Sequence, residues 1–213
     1  MLPLERRIID LSYKHKLSHI GSCITAVHII DEIFAEKGDG IFVLSNGHAG
    51  LALYVVMEKY GLGDADALLT KHGIHPNTDA HIFCSTGSLG HGIGIAVGAA
   101  MSDRSRKVYC LISDGECAEG SVWEALRIAA EQHLDNLIVH LNANGYGANA
   151  QRRLWDLVEV DHDVWRQGSG YWLIQIGEKV RSVQPVISVI SHVVKILISH
   201  SVPRDQHVWL KLF

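Results

Sequence analysis

The chain lacks a strong charge of either sign. Its 19 Lys and Arg stand against 23 Asp and Glu, a formal net charge of −4. That argues against a nucleic-acid or anionic-membrane partner. It has no Cys-x-x-Cys pair. The four cysteines, Cys23, Cys84, Cys110 and Cys117, are scattered, which fits reduced thiols in the cytoplasm better than a disulfide frame. It has no uninterrupted apolar run of bilayer length. The longest candidate, Val183 to Val202, is broken by Gln184, Ser188, His192, Lys195 and His200. Residues Met1 to Arg7 lack the basic-then-apolar order of a secretion signal. No repeat or low-complexity segment stands out. What remains is 213 residues, 47% hydrophobic and 20% charged, enough for one generous domain with a real core.

Apolar patterning divides the chain into elements. Leu4 to His15 reads as a helix, with Leu4, Ile8 and Leu11 near one face. After a break at His19-Ile20-Gly21-Ser22, Ser22 or Thr25 is expected to cap a helix running to about Glu36. Ile41 to Leu44 suits a buried strand, and Ser45-Asn46-Gly47-His48 a turn into a helix from Ala49 to Tyr60. A short helix is expected over Asp64 to His72, a loop over Gly73 to Ser88, and a small-residue helix from His91 to Met101. Val108 to Ile112 is an unbroken apolar run of the parallel-sheet kind. It is followed by a helix from Gly120 to His133 and a strand from Leu137 to Leu141, the spacing of a βαβ crossover. Beyond Asn149 the expected elements are a helix over Leu154 to Trp165 and a strand over Tyr171 to Ile176. Val186 to Ile198 is a helix or a strand that periodicity does not separate. The expected fold is α/β, a parallel sheet with helices on both faces.

The chemistry concentrates at two strand ends. Asp114 follows the Val108 run, so it sits at a carboxyl edge, where open α/β sheets bind ligands. Gly115 lets the backbone approach a phosphate, and a helix opening at Glu119 or Gly120 aims its N-terminus at the same edge. Asn144 follows the next strand and offers a neutral hard oxygen, and the Tyr146 carbonyl offers another. One carboxylate, one amide oxygen, one carbonyl, two phosphate oxygens and a water make the six-oxygen shell that Mg²⁺ prefers. A diphosphate carries much negative charge, so a single carboxylate is enough. Asp-Gly and Asn-Gly are also ordinary turn pairs. A second feature, the Gly-rich segment Ser85-Thr86-Gly87-Ser88-Leu89-Gly90-His91-Gly92-Ile93-Gly94, enters a tight helix with Leu89 poised as an apolar contact. Fourteen histidines are many for this length, and those in Gly-rich loops carry the most weight.

Taken together, these segments resemble the transketolase family over roughly residues 10 to 150. Ser18-His19-Ile20-Gly21 is similar to the family's Ser-Gly-His-Pro-Gly with one position missing, and Leu44-Ser45-Asn46-Gly47-His48 to its Leu-Ser-x-Gly-His. Ser85 to Gly92 is similar to Thr-Thr-Gly-Pro-Leu-Gly-Gln-Gly. Asp114-Gly115-Glu116, Glu119-Gly120 and Asn144 are similar to its thiamine diphosphate signature. The resemblance implies that Asp114, Asn144 and the Tyr146 carbonyl hold Mg²⁺ or Ca²⁺. Gly115 and Glu116 would lie along the diphosphate, and Gly87 and Leu89 would meet the aminopyrimidine through their backbones. His19, His48 and His75 match histidines lining the substrate channel, where they hydrogen-bond and move protons on sugar oxygens. His48 also counts among the residues at the cofactor, and Glu119 matches a glutamate that links two cofactor sites across a subunit interface.

The resemblance also has edges. The chain is about a third of a complete transketolase, and no segment corresponds to a pyrimidine-binding domain with its proton-donating glutamate. The family's Lys-Gly-Lys-Gly loop is missing, and residues 151–213 are divergent apart from Val160-Asp161-His162-Asp163, which is similar to a Val-Asp-Gly-His-Asp segment. The implied protein, residues 1–213 as one diphosphate-binding domain, is the N-terminal subunit of a split transketolase. It would be completed by a pyrimidine-binding C-terminal subunit in a homodimer or heterotetramer, with a sugar or sugar phosphate as substrate. The alternatives are a subunit of another thiamine enzyme (a 2-oxoacid decarboxylase or dehydrogenase, or a deoxy-sugar synthase) or an inactive cofactor-binding subunit. The pair His19 and His48 favours ketol transfer, since an oxoacid enzyme has less use for hydroxyl-binding histidines.

Overall fold

Helix α1 (Pro3–His15) starts on a proline, which loses nothing at a first-turn position, and carries Glu5 in its first turn and Lys14 and His15 in its last. Its amphipathic stripe buries Ile8 and Leu11. In this computed structural model the described residues are 3–144, 171–179, 192–199 and 208–210. Helix α2 (Ile20–Glu36) begins one turn earlier than a Ser22 or Thr25 cap allows, because His19 takes a left-handed backbone (φ +64°) and turns the chain directly into it. Thr25 is inside the helix, and its hydroxyl bonds back to the carbonyls of Gly21 and Ser22. Strand β1 (Ile41–Leu44) leads through a single 3₁₀ turn, Gly47–Ala49, into α3 (Gly50–Lys59). Helix α4 (Ala65–His72) is capped at both ends. The Asp64 carboxylate accepts the Ala67 N–H at 2.8 Å, and Gly73 (φ +76°) ends it. Helix α5 (Gly92–Ser102), strand β2 (Val108–Ser113), helix α6 (Gly120–Glu131) and strand β3 (Leu137–Asn142) follow within a residue or two of the expected bounds.

β1, β2 and β3 pair in parallel, with Val108 opposite Leu137 and Ser113 opposite Asn142. Every residue of β2 and β3 is buried, which is why both read as near-continuous apolar runs. One face, with Val43, Cys110, Ile112, Val139 and Leu141, carries α5 and α6. The other, with Leu44, Tyr109, Leu111 and Ile138, carries α1 to α4. Helices therefore cover both faces, as expected. Three later strands, β4 (Tyr171–Lys179), β5 (His192–Ser199) and β6 (Val208–Leu210), extend the same sheet beyond β3, and each pairs antiparallel to its neighbour. The segment whose periodicity did not separate helix from strand contributes β5. The expected helix at Leu154 to Trp165 lies outside the described residues.

The consequence for function is positional. The carboxyl ends of β1, β2 and β3 lie on one rim, and the loops after them emerge side by side. Among the described residues no helix is long and apolar enough to cross a membrane.

Candidate functional site

The rim is built from several short segments. The β2 tip continues one bond past its strand, where the Asp114 N–H donates to the Asn142 carbonyl at 3.2 Å. Asp114 is only 4% exposed, and one of its oxygens accepts the Gly115 N–H at 2.9 Å. Asn144, half-buried, stands just past β3 on the same rim. Its amide nitrogen faces the Thr25 oxygen (3.4 Å), as does that of Asn142 (3.0 Å). The Thr25 proton is committed to the α2 backbone, so its lone pairs orient both amides nitrogen-first. That turns the Asn144 amide oxygen away from α2. Tyr146 lies outside the described residues.

The Gly-rich segment closes over the turn after β1. A Cβ on Gly92 would come within 2.5 Å of the Ser45 Cα, and one on Gly47 within 2.8 Å of the Gly87 nitrogen. These glycines are required because backbone meets backbone. Thr86 donates its N–H to the Pro76 carbonyl at 3.1 Å, so the His75-Pro76 corner joins the same assembly. Gly92→Ala is therefore expected to lower stability by about 1–3 kcal/mol, as forced overpacking does. Gly94→Ala on the same helix, where a Cβ meets open space, should raise it by about 0.5–1 kcal/mol. Thermal unfolding of the two variants checks both signs.

Three histidines from three segments converge here. The rings of His19 and His48 are 5.3 Å apart, and the His75 ring backs onto Gly87, where a Cβ would sit 3.1 Å from it. Burial, with added repulsion from His19 and His75, lowers the pKa of His48 to about 4. A neutral imidazole at neutral pH accepts protons from, or hydrogen-bonds to, hydroxyl groups. His19 and His75 are exposed. Leu89 is half-buried in the Gly-rich loop. Glu119, at the N-cap of α6, is exposed, and its Cβ lies 2.9 Å from where a Cβ on Gly90 would be.

Glu116 is placed differently from its neighbours. Its side chain is fully buried (0% exposed) and turned inward. The sequence signalled Glu116 but not its direction. It also left Ser45 and Asn46 without roles at the site and read Thr25 only as a possible helix cap. Asn46 is likewise 0% exposed, and both ends of its amide, with the Thr86 hydroxyl, lack a partner. Buried polar groups are usually satisfied, so orphans in two touching segments mark a place shaped for something more than protein atoms. Among the described residues no three of His, Cys, Asp and Glu cluster as a self-sufficient metal centre. A cation here would need oxygens from a bound anion, and one buried carboxylate with an amide on the same rim is the donor set suited to a hard cation that arrives with a diphosphate.

A parallel α/β rim with glycine-cradled loops, a lone acidic strand tip and converging histidines defines the class of nucleotide- and diphosphate-type cofactor domains. Residues 31–160 match the family "Transketolase, thiamine diphosphate binding domain". The chain belongs to the transketolase family. It is 42% identical over 152 residues to the transketolase of Homo sapiens, covering 61% of this chain and 24% of that protein. It is 31% identical over 164 residues to one subunit of the apulose-4-phosphate transketolase of Phocaeicola vulgatus, covering 65% of this chain and 57% of that one. The fold resembles transketolase from Leishmania mexicana with a TM-score of 0.58 at 23% identity, over 69% of this chain and 28% of that one. The chain thus spans about a quarter of the length of the single-chain transketolases it matches, and somewhat over half of the Phocaeicola polypeptide.

Proposed function

We propose that this chain, as one domain over residues 1–213, is the diphosphate-binding N-terminal subunit of a split transketolase. In this reading it moves a two-carbon ketol unit from a ketose to an aldose, with sugar phosphates as substrates. The observation that carries it is the convergence of His19, His48 and His75 with the Gly87 loop on the same rim as Asp114 and Asn144. Asp114, Asn144 and the Tyr146 carbonyl hold Mg²⁺ or Ca²⁺, and the backbones of Gly115 and Glu116 lie along the diphosphate. The backbones of Gly87 and Leu89 meet the aminopyrimidine. Thiamine diphosphate, when bound, supplies the carbanion chemistry that side chains cannot. His48, neutral at pH 7, accepts a hydrogen bond from a sugar hydroxyl or takes its proton, and His19 and His75 orient neighbouring oxygens. Glu119 reaches toward the partner subunit.

Supporting a partner is the outer stripe of α5, where Gly94, Ile95, Gly98 and Met101 are all exposed. An all-apolar stripe on an exposed helix invites a partner protein. We place against it a second copy, and beside it the pyrimidine-binding C-terminal subunit. Four free cysteines support a reducing cytoplasm.

The test mixes the chain with the pyrimidine-binding subunit of a split transketolase, thiamine diphosphate and Mg²⁺, and follows transfer from a ketose phosphate to an aldose phosphate. Activity is expected only in the complete mixture. His48→Ala should reduce it by at least about 100-fold, the usual scale for losing acid–base assistance. Decarboxylation of a 2-oxoacid in place of transfer would overturn the reading, as would tight cofactor binding with no turnover in any pairing.

A further inference from the structure

The Glu116 carboxylate faces donors from three different segments. The Ser45 hydroxyl donates to Oε1 at 2.7 Å and the Gly90 N–H to the same oxygen at 2.8 Å, while the Ser113 N–H donates to Oε2 at 3.1 Å. Gly90 is held from its other side as well, since its carbonyl accepts the Ser121 hydroxyl at 3.1 Å. Its left-handed backbone (φ +78°) admits only glycine with ease. Ser45 is in turn pressed against Gly92, which leaves no room for a Cβ. The β2 tip, the turn after β1 and the Gly-rich loop therefore share one buried anion. We propose that Glu116 is a positioning residue whose carboxylate locks these three segments into the cofactor cradle before any cofactor arrives.

The chemistry of the donors explains why a carboxylate is needed. Backbone N–H groups cannot become acceptors, and the two that point at Glu116 address different oxygens. An amide offers one oxygen, so in either orientation a glutamine sets its NH₂ against the N–H of Gly90 or of Ser113. The Ser45 hydroxyl can rotate to donate or accept, so it alone does not distinguish the two side chains. Burial raises the pKa of Glu116 above the ordinary carboxylate value, and the bonds from Gly90, Ser45 and Ser113 offset part of that rise. The assignment gives Glu116 a task other than touching the ligand: its side chain shapes the loop that presents Gly87 and Leu89. It rests on the proposed cofactor site only for what the cradle holds, not for the existence of the clamp.

Residue-resolved hydrogen exchange on the full chain without cofactor tests it. In Glu116→Gln, the amide of Gly90 or Ser113 should exchange at least about tenfold faster, because a buried bond to a charged acceptor is lost. The interiors of β3 and α6 should keep their protection. Unchanged exchange at both amides would overturn the proposal. If Glu116→Gln does not fold, Ser45→Ala decides. Faster exchange at Gly90 in a folded chain supports the clamp, and wild-type protection there refutes it. A calorimetric titration with thiamine diphosphate and Mg²⁺, below both melting points, separates positioning from bulk stability. Positioning predicts affinity weaker by about tenfold or more, whereas a merely structural residue would lower the melting temperature and leave affinity alone. If the wild type binds no thiamine diphosphate even with the pyrimidine-binding subunit present, the functional reading falls, and the exchange experiment still decides the clamp.

Discussion

Asp114→Asn is expected to weaken Mg²⁺-dependent binding of thiamine diphosphate by more than about 100-fold, since even outer partners of a metal site are worth about 10- to 100-fold. The substitution isolates charge from shape. Asparagine keeps an oxygen to accept the Gly115 N–H, the bond the Asp114 side chain makes to the loop that follows it, so the fold should persist with a similar melting temperature. What it removes is the negative charge of a nearly buried group at the β2 tip. Among the described residues no three of His, Cys, Asp and Glu form a metal site of their own, so the cation would depend on this charge and on the diphosphate. Isothermal titration calorimetry of both proteins, with and without Mg²⁺, reads the effect. Equal affinities in Mg²⁺ would remove the cation assignment.

The second large effect is on stability in acid, and it comes from a residue outside the site. His140 lies in the middle of β3, opposite Leu111 in register, 5% exposed, with Nε2 unpartnered and the Tyr109 ring 6.3 Å away. Burial drives its pKa down to about 3. An unfolded histidine titrates near pH 6.5, so the folded chain has the lower value. Its full stability is present above pH 6.5. Between pH 6.5 and about 3 the unfolded state takes up a proton that the folded state refuses, at about 1.4 kcal/mol per pH unit. The whole interval costs about 5 kcal/mol, a large part of the usual margin for a domain. His48, with its own lowered value, shifts stability in the same direction. His140→Leu should therefore be more stable than wild type at pH 4 by about 3 kcal/mol, and the gap should shrink toward neutrality. Urea unfolding at pH 8, 6 and 4 measures it. Parallel pH curves for the two proteins would show that His140 is not held neutral.

Much of this was legible in the residues themselves. Val108 to Ile112 and Leu137 to Leu141 read as buried parallel strands because nothing in them faces water, and that alone placed Asp114 and Asn144 on one rim. The glycines of residues 85–94 announced a close backbone approach, and the structure shows what approaches: Ser45 and the turn around Gly47. Other features were not legible for physical reasons. A one-dimensional pattern does not record the direction of a side chain, so Glu116 read like its neighbours although its carboxylate turns into the interior. Thr25 read as a helix cap because threonine favours caps, but a left-handed His19 started α2 earlier and left the Thr25 oxygen to orient two asparagines. Apolar runs carry no strand polarity, so the antiparallel pairing of β4, β5 and β6 was beyond reach. His140, one histidine in an apolar run, gave no sign that its Nε2 would be left without a partner in the core.

The most direct measurement is a crystal structure of the full chain grown with thiamine diphosphate and Mn²⁺ in place of Mg²⁺, with the metal located by its anomalous scattering. The account predicts one strong peak at the rim, bonded to the Asp114 carboxylate, the Asn144 amide oxygen and two diphosphate oxygens. A cofactor bound with its diphosphate elsewhere, or a metal that touches neither strand tip, would contradict it.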